Sequence, residues 1–63
     1  MAYIYTVTMR DSEELVFVEE TDLFSFIESN PAGQFLIFTE RGGSQVALPE
    51  EDIASIVCEK EEE

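Results

Sequence analysis

The alternation of apolar and polar residues in the first part of the chain predicts a β-hairpin. Residues 2–9 fall on two faces with the period of a strand, with tyrosine, valine and methionine on one face and isoleucine and threonine on the other. Residues 10–13 are polar and contain turn formers, and residues 15–18 are mostly β-branched or aromatic. We therefore expect strands at 2–9 and 15–18, joined by a short turn.

The pattern then changes to the period of a helix. Either Thr21 or Asp22 can accept hydrogen bonds from the first free amides of this helix. The segment Asn-Pro-Ala-Gly at 30–33 should end it, because the residue before proline avoids the helical region and glycine permits positive φ. The apolar stripe expected on the helix consists of Leu23, Phe24, Phe26 and Ile27.

The second half of the chain repeats the hairpin pattern. Residues 34–39 and 44–48 are expected to form strands around a tight turn at 40–43, which contains Gly42 and Gly43. Pro49 is expected to break the second of these strands. The acidic residues Glu50, Glu51 and Asp52 then suit the first amides of a helical turn.

The last apolar segment allows two interpretations. Ile53, Ile56 and Val57 fit one side of a helix, whereas Ala54, Ile56 and Cys58 fit one face of a strand. We favour a helical turn at 49–52 followed by a short strand at 53–58, because β-branched residues dominate the segment. Residues 59–63 are expected to form a solvated, frayed acidic tail behind a single domain of residues 1–58.

These elements predict a β-rich α+β fold in the order β-β-α-β-β, helical turn, β. We expect a small curved antiparallel sheet or a partly open SH3-like barrel. The motif that points to the barrel is Gly43-x-x-Val46-x-Leu48-Pro49-x-x-x-Ile53-x-x-Ile56, which resembles the close of SH3-like small barrels, where a strand leads through a helical turn to a last short strand. The central helix departs from that family and no aromatic peptide groove can be matched, so the resemblance implies nothing about ligands.

The charge of the chain excludes several functions. The 63 residues contain 3 Lys+Arg and 15 Asp+Glu, which gives a net charge of −12. Direct binding to nucleic acid or to an anionic membrane needs basic residues, so neither is expected. The longest apolar run, residues 35–38, is too short to cross a bilayer, and residues 1–5 contain no basic signal region. Together with the single Cys58, this indicates a cytoplasmic protein.

Neither catalysis nor a cofactor is expected. The sequence has no histidine, which is the usual general base and the commonest metal ligand. Cys58 lies beside Glu59 and Lys60 and is interpreted as a structural, half-buried residue. The carboxylates lack the spacing of a calcium loop and are interpreted as a solvated face, so no metal site is predicted. The segment Arg41-Gly42-Gly43-Ser44 is more typical of a turn between strands than of an anion site.

Two features indicate protein interaction. The strands at 15–18 and 35–38 are apolar on both faces, and one short helix can cover only one face of a small sheet. A negative field on so small a body steers association with basic surfaces. The candidate residues of an oligomer interface are Tyr3, Tyr5, Val16, Phe17, Phe35 and Ile37. The candidate residues of an acidic partner-binding face are Glu13, Glu14, Glu19, Glu20, Asp22, Glu50, Glu51 and Asp52.

The leading hypothesis is a non-enzymatic, homo-oligomeric interaction module whose acidic face binds a basic protein. Its narrower form is an inhibitor of the phage or mobile-element type, whose carboxylates replace phosphates on a nucleic-acid-binding protein. The alternative is a small accessory or structural subunit that docks through an apolar sheet face, with acidity serving only solubility.

Overall fold

The chain forms a small β-rich α+β fold in the order that the pattern predicts. The computed structural model describes residues 2–29 and 33–61. In chain order the elements are β1 (Tyr3–Met9), β2 (Glu14–Glu19), α1 (Leu23–Ser29), β3 (Phe35–Thr39), β4 (Gln45–Pro49), a 3₁₀ turn (Glu50–Asp52) and β5 (Ile53–Lys60).

The strands belong to two antiparallel sheets and do not close into a barrel. One sheet has the order β2-β1-β5 and the other consists of β3 and β4. This corrects the expectation of one curved sheet or a partly open SH3-like barrel. The two sheets stay separate because no backbone ladder joins β2 to β3. Where these strands approach each other, the backbone N–H of Thr39 donates to the side-chain carboxylate of Glu19 instead.

The core lies between the three-stranded sheet, the β3–β4 hairpin and α1. The ring of Phe38 is fully buried and stacks on Phe17 from β2, with ring centroids 4.8 Å apart. It also stacks on Phe26 from α1 at 5.1 Å, and Tyr5 meets Phe26 edge-on at 5.2 Å. This aromatic cluster joins the three layers. The buried core residues are Tyr5, Val7, Phe17, Phe26, Leu36, Phe38 and Leu48.

Helix α1 is short and buries less of its surface than its spacing predicts. Asp22 caps it, since the carboxylate accepts the Ser25 N–H at 2.8 Å and the carbonyl accepts the Phe26 N–H at 2.9 Å. Only Phe26 is buried on the helix, whereas Phe24 is 76% exposed and Ile27 is also exposed. The expectation of a four-residue apolar stripe is therefore wrong for Phe24 and Ile27. A helix of seven residues makes only about two turns, and this short helix buries only one of its side chains in the core. Residues 30–32, predicted to end the helix, lie outside the described part of the chain.

β4 ends at Pro49, which is the last residue of the strand, one residue later than expected. It lies opposite Phe35, and the neighbouring position is a hydrogen-bonded pair in which the Glu50 N–H donates to the Gln34 carbonyl at 2.9 Å. Hydrogen-bonded pairs alternate with non-hydrogen-bonded pairs along an antiparallel ladder, so Pro49 and Phe35 form a non-hydrogen-bonded pair. The nitrogen of Pro49 therefore points away from β3, where no N–H is needed. The ladder therefore loses no bond.

The final strand is longer than predicted. The favoured strand interpretation of residues 53–58 is confirmed, and β5 continues through Lys60. Glu59 pairs with Ile4 and Lys60 with Tyr3, and the Glu61 N–H donates to the Ala2 carbonyl at 2.9 Å. Residues 59–61 are therefore held against β1 by the backbone, so the prediction of a frayed tail is wrong for them; residues 62 and 63 lie outside the described part.

Candidate functional site

The three-stranded sheet turns one side to the core and the other to solvent. We call the solvent side the outer face. Residues that pair across the three strands form rows on this face, and in the central row Thr6 lies between Val16 on β2 and Val57 on β5. Val16 is 59% exposed and Val57 is 51% exposed. The next row extends this apolar centre with Val18 and Ile4. Four aliphatic side chains and one threonine thus form a patch that the chain leaves uncovered.

Two acidic residues lie at diagonally opposite corners of the outer face. Glu14 on β2 lies opposite Thr8, and Glu59 on β5 lies opposite Ile4. Both carboxylates are on exposed residues. A second copy of this face would bring like charges together, whereas a partner with an apolar centre and basic residues at its margin would complement it.

Five of the predicted acidic residues gather at one end of the fold, which we call the turn end. Here the β1–β2 turn meets the 3₁₀ turn, because the Arg10 N–H donates to the Asp52 carbonyl at 2.8 Å and the Arg10 side chain donates to the Glu51 carbonyl. One of the three basic residues of the chain is thus engaged between two turns. The predicted acidic residues at this end are Glu13, Glu14, Glu50, Glu51 and Asp52.

The other three predicted acidic residues, Glu19, Glu20 and Asp22, lie at the far end of β2 and at the start of α1. Five strand steps separate Glu14 from Glu19, which is about 17 Å. Hydrogen bonds from the Ser25 backbone and side chain lower the pKa of Asp22, so this carboxylate is occupied as the helix cap. The structure therefore separates the predicted acidic face into two ends with the apolar outer face between them.

The outer side of the β3–β4 hairpin, which we call the hairpin face, is a second uncovered apolar surface. Phe35 is 54% exposed and Ile37 is 42% exposed. Their cross-strand neighbours are Pro49 and Ala47, and the remaining pair is Thr39 with Gln45. None of these six residues is charged.

The predicted interface residues divide between core and surface. Tyr5 and Phe17 are buried and so belong to no exposed surface, while Tyr3 is half-buried against the core. Of the exposed candidates, Val16 lies on the outer face and Phe35 and Ile37 lie on the hairpin face. The alternation within β1 predicts that Tyr5 and Val7 share a face, but not that this face is the buried one.

The buried phenol of Tyr5 is a structural group. Its hydroxyl donates to the Thr21 carbonyl at 2.7 Å, which ties β1 to the segment before α1. Burial raises the pKa of Tyr5 well above its usual value, and the neighbouring Cys58 raises it further. Cys58 itself is half-buried and packs against the core, as its interpretation as a structural residue expects.

A groove runs beside the first half of β5. It has a volume of about 410 Å³. Ile27 of α1 forms one wall and Ile53 and Ile56 of β5 form the other, while Glu50 provides a carboxylate at its margin. The lining residues are Ile27, Leu36, Glu50, Ile53, Ala54, Ser55 and Ile56.

The outer-face residues on β1 and β5 were missed as site residues. Val57 alternates with Ile56 and Cys58, so a strand at 53–58 places it on the opposite side from them. What the local pattern lacks is the pairing of β5 with β1, which brings Val57 beside Thr6.

Within residues 2–29 and 33–61, no cluster of three or more potential metal ligands occurs. No helix in the same residues is both long and apolar enough to span a membrane. The chain matches no protein-family model, no curated protein and no solved structure. The features that bear on function are therefore the two uncovered faces, the groove and the charge of the chain.

Proposed function

We propose that this chain is a non-enzymatic protein-interaction module that binds a basic protein through the outer face. The observation that carries the proposal is the row Val16–Thr6–Val57, two exposed valines on either side of a central strand. Burying such side chains favours association because it removes apolar surface from water. The carboxylates at Glu14 and Glu59 favour a partner whose margin is basic.

Self-association through the hairpin face is the second part of the proposal. Phe35 and Ile37 are exposed there, and the six residues of the face carry no charge. Two copies can therefore meet at this face without placing like charges in contact. Because each chain carries a net charge of −12, added salt should strengthen this dimer, whereas it should weaken binding of a basic partner.

In its narrower form the proposal makes the basic partner a nucleic-acid-binding protein. Exposed carboxylates at the turn end, together with the exposed Glu20 at the far end of β2, would then occupy phosphate-binding positions, with the outer face between them. Duplex DNA or RNA should compete with the chain for such a partner. A partner that binds the chain and a nucleic acid at the same time would contradict the narrower form and leave the general one intact.

Affinity capture from the native host at two salt concentrations tests the basic-partner proposal. A captured protein should be retained at about 50 mM salt and released at about 500 mM. Reversing both corner charges, in a Glu14→Lys/Glu59→Lys variant, should lower the association rate constant more than it raises the dissociation rate constant. Binding that neither salt nor these reversals change would favour the alternative, a subunit docked through apolar contacts with acidity serving only solubility.

A further inference from the structure

The outer edge of β5 is open. In the order β2-β1-β5, no described strand other than β1 pairs with β5. The bond from the Glu61 N–H to the Ala2 carbonyl sets the alternation of the ladder, so Glu59 and Val57 bond to β1. The backbone N–H and C=O groups of Ile56, Cys58 and Lys60 then point away from β1 and remain available for another strand.

The other edges in the described part of the chain are obstructed or short. β3 lies beside β2, and the Glu19 carboxylate already accepts the outward N–H of Thr39 at 2.6 Å. β4 has five residues, and Pro49 removes one of its outward N–H groups. β5 has eight residues and contains no proline. It is therefore the edge best suited to accept a strand.

The groove beside β5 gives such a strand a place for side chains. Residues of an added strand that lie opposite Ile56 and Cys58 would point to the core side, and the one opposite Ile56 would lie at the groove. Residues opposite Val57 and Glu59 would point to the outer face. The groove is apolar apart from its margin, so its side of the added strand should be apolar.

The charges of the chain specify the other side. Glu59 lies on the outer face of β5 and is exposed. A strand from a second copy would add a body with a net charge of −12, whereas a basic strand meets complementary charge. We propose that the β5 edge binds an extended segment of the basic partner in antiparallel pairing, with apolar residues toward the groove and Lys or Arg on the outer face. This inference rests on the proposed function, because the added strand extends the outer face.

A capped peptide of alternating valine and lysine, as long as β5, is the probe. We expect it to bind and to slow hydrogen exchange of the Ile56, Cys58 and Lys60 amides by at least about tenfold, as measured by NMR. In this arrangement the valine N–H groups face β5 and the lysine N–H groups face away. N-methylation of the valines should therefore abolish binding, while N-methylation of the lysines should preserve it.

A matched pair of protein variants tests the same edge from the other side. Proline at position 58 removes an N–H that β1 does not use, so Cys58→Pro should keep the β1–β5 ladder but lose the peptide. Cys58→Ala should keep both. If Cys58→Pro does not fold, the two methylated peptides still decide the question on the native chain.

The outcomes separate this inference from the proposed function. Peptide binding without protection of the three amides, or equal binding of both methylated peptides, would overturn strand addition. Protection that rises with protein concentration in the absence of peptide would make a second copy the occupant and also overturn it. A host partner that Val16→Lys weakens but that leaves the β5 edge unprotected would retain the outer-face proposal and remove the strand.

Discussion

The carboxylate of Glu19 accepts the backbone N–H of Thr39 at 2.6 Å and so joins the end of β2 to the edge of β3. It satisfies an edge amide that no strand pairs with, and it replaces a backbone ladder that would have merged the two sheets. The relationship explains why the chain forms two sheets and why one carboxylate of the predicted acidic face is already engaged inside the fold.

Removing this carboxylate should loosen the contact between the sheets. We expect Glu19→Ala to lower the free energy of unfolding by about 1.5–3 kcal/mol, the usual range for a hydrogen bond to a charged group. Urea denaturation measures the change, and faster exchange of the Thr39 amide locates it. Glu20→Ala removes a neighbouring exposed carboxylate and is the control. If both variants change the free energy of unfolding equally, the effect comes from the net charge and not from the Glu19–Thr39 hydrogen bond.

The ring of Phe38 should be indispensable for folding. It contacts Phe17, Phe26 and Tyr5, and its removal should cost about 3–5 kcal/mol. The free energy of unfolding of so small a domain is itself only a few kcal/mol, so Phe38→Ala should be largely unfolded when measured by circular dichroism. Phe24→Ala removes the same ring from an exposed helix position and should fold normally. A well-folded Phe38→Ala protein would contradict the assignment of this ring to the centre of the core.

Alkaline pH should destabilise the protein through Tyr5. Its pKa is raised in the folded chain, so the unfolded chain releases the phenol proton first, near its ordinary pKa of about 10. The stabilisation is present below that pH and is lost as the pH rises toward the folded pKa. Tyr5→Phe should cost about 0.5–1.5 kcal/mol at pH 7 through loss of the Thr21 bond, yet reduce the alkaline loss. Tyr3→Phe keeps the Tyr5–Thr21 hydrogen bond, so this control should lose stability at alkaline pH as the wild type does. Thermal denaturation at a series of pH values compares the two variants.

The hairpin face should support a dimer at micromolar concentration. Sedimentation equilibrium should show a mass above the 7.2 kDa of the chain, and the fraction of dimer should rise with salt. Ile37→Glu places a charge in the uncharged face and should give a monomer. Ser44→Glu adds the same charge in the exposed β3–β4 turn and should not. A wild-type monomer up to about 100 µM would remove self-association, since any dimer would then have a dissociation constant above about 100 µM, or a binding free energy weaker than about −5.5 kcal/mol.

The local elements could be predicted from the sequence because their signals are local. The β1–β2 and β3–β4 hairpins follow from alternation and turn residues, and Asp22 is the helix cap that its position indicates. The order of the elements is confirmed for the same reason. The strand interpretation of residues 53–58 is likewise confirmed, because β-branched residues favour it.

The pairing of distant segments could not be predicted. The residues of β5 do not indicate that this strand pairs with β1 so that Cys58 lies opposite Tyr5. This pairing places Val57 and Glu59 on the outer face and extends β5 to Lys60. The division of the predicted acidic residues between two ends of the fold could not be predicted either, because residues close in sequence, such as Glu14 and Glu19, are at opposite ends of one strand. That Pro49 itself pairs with Phe35 could not be predicted, because the outward direction of its nitrogen depends on the ladder register.

The most direct test of the outer face compares the dissociation constants of two single-lysine variants for the captured host partner. Val16→Lys places a charge in the apolar centre of the outer face, while Ser44→Lys adds the same charge in the β3–β4 turn. The outer-face proposal predicts that Val16→Lys weakens binding at least about tenfold, or 1.4 kcal/mol, relative to Ser44→Lys. Equal dissociation constants, with both variants folded, would contradict it.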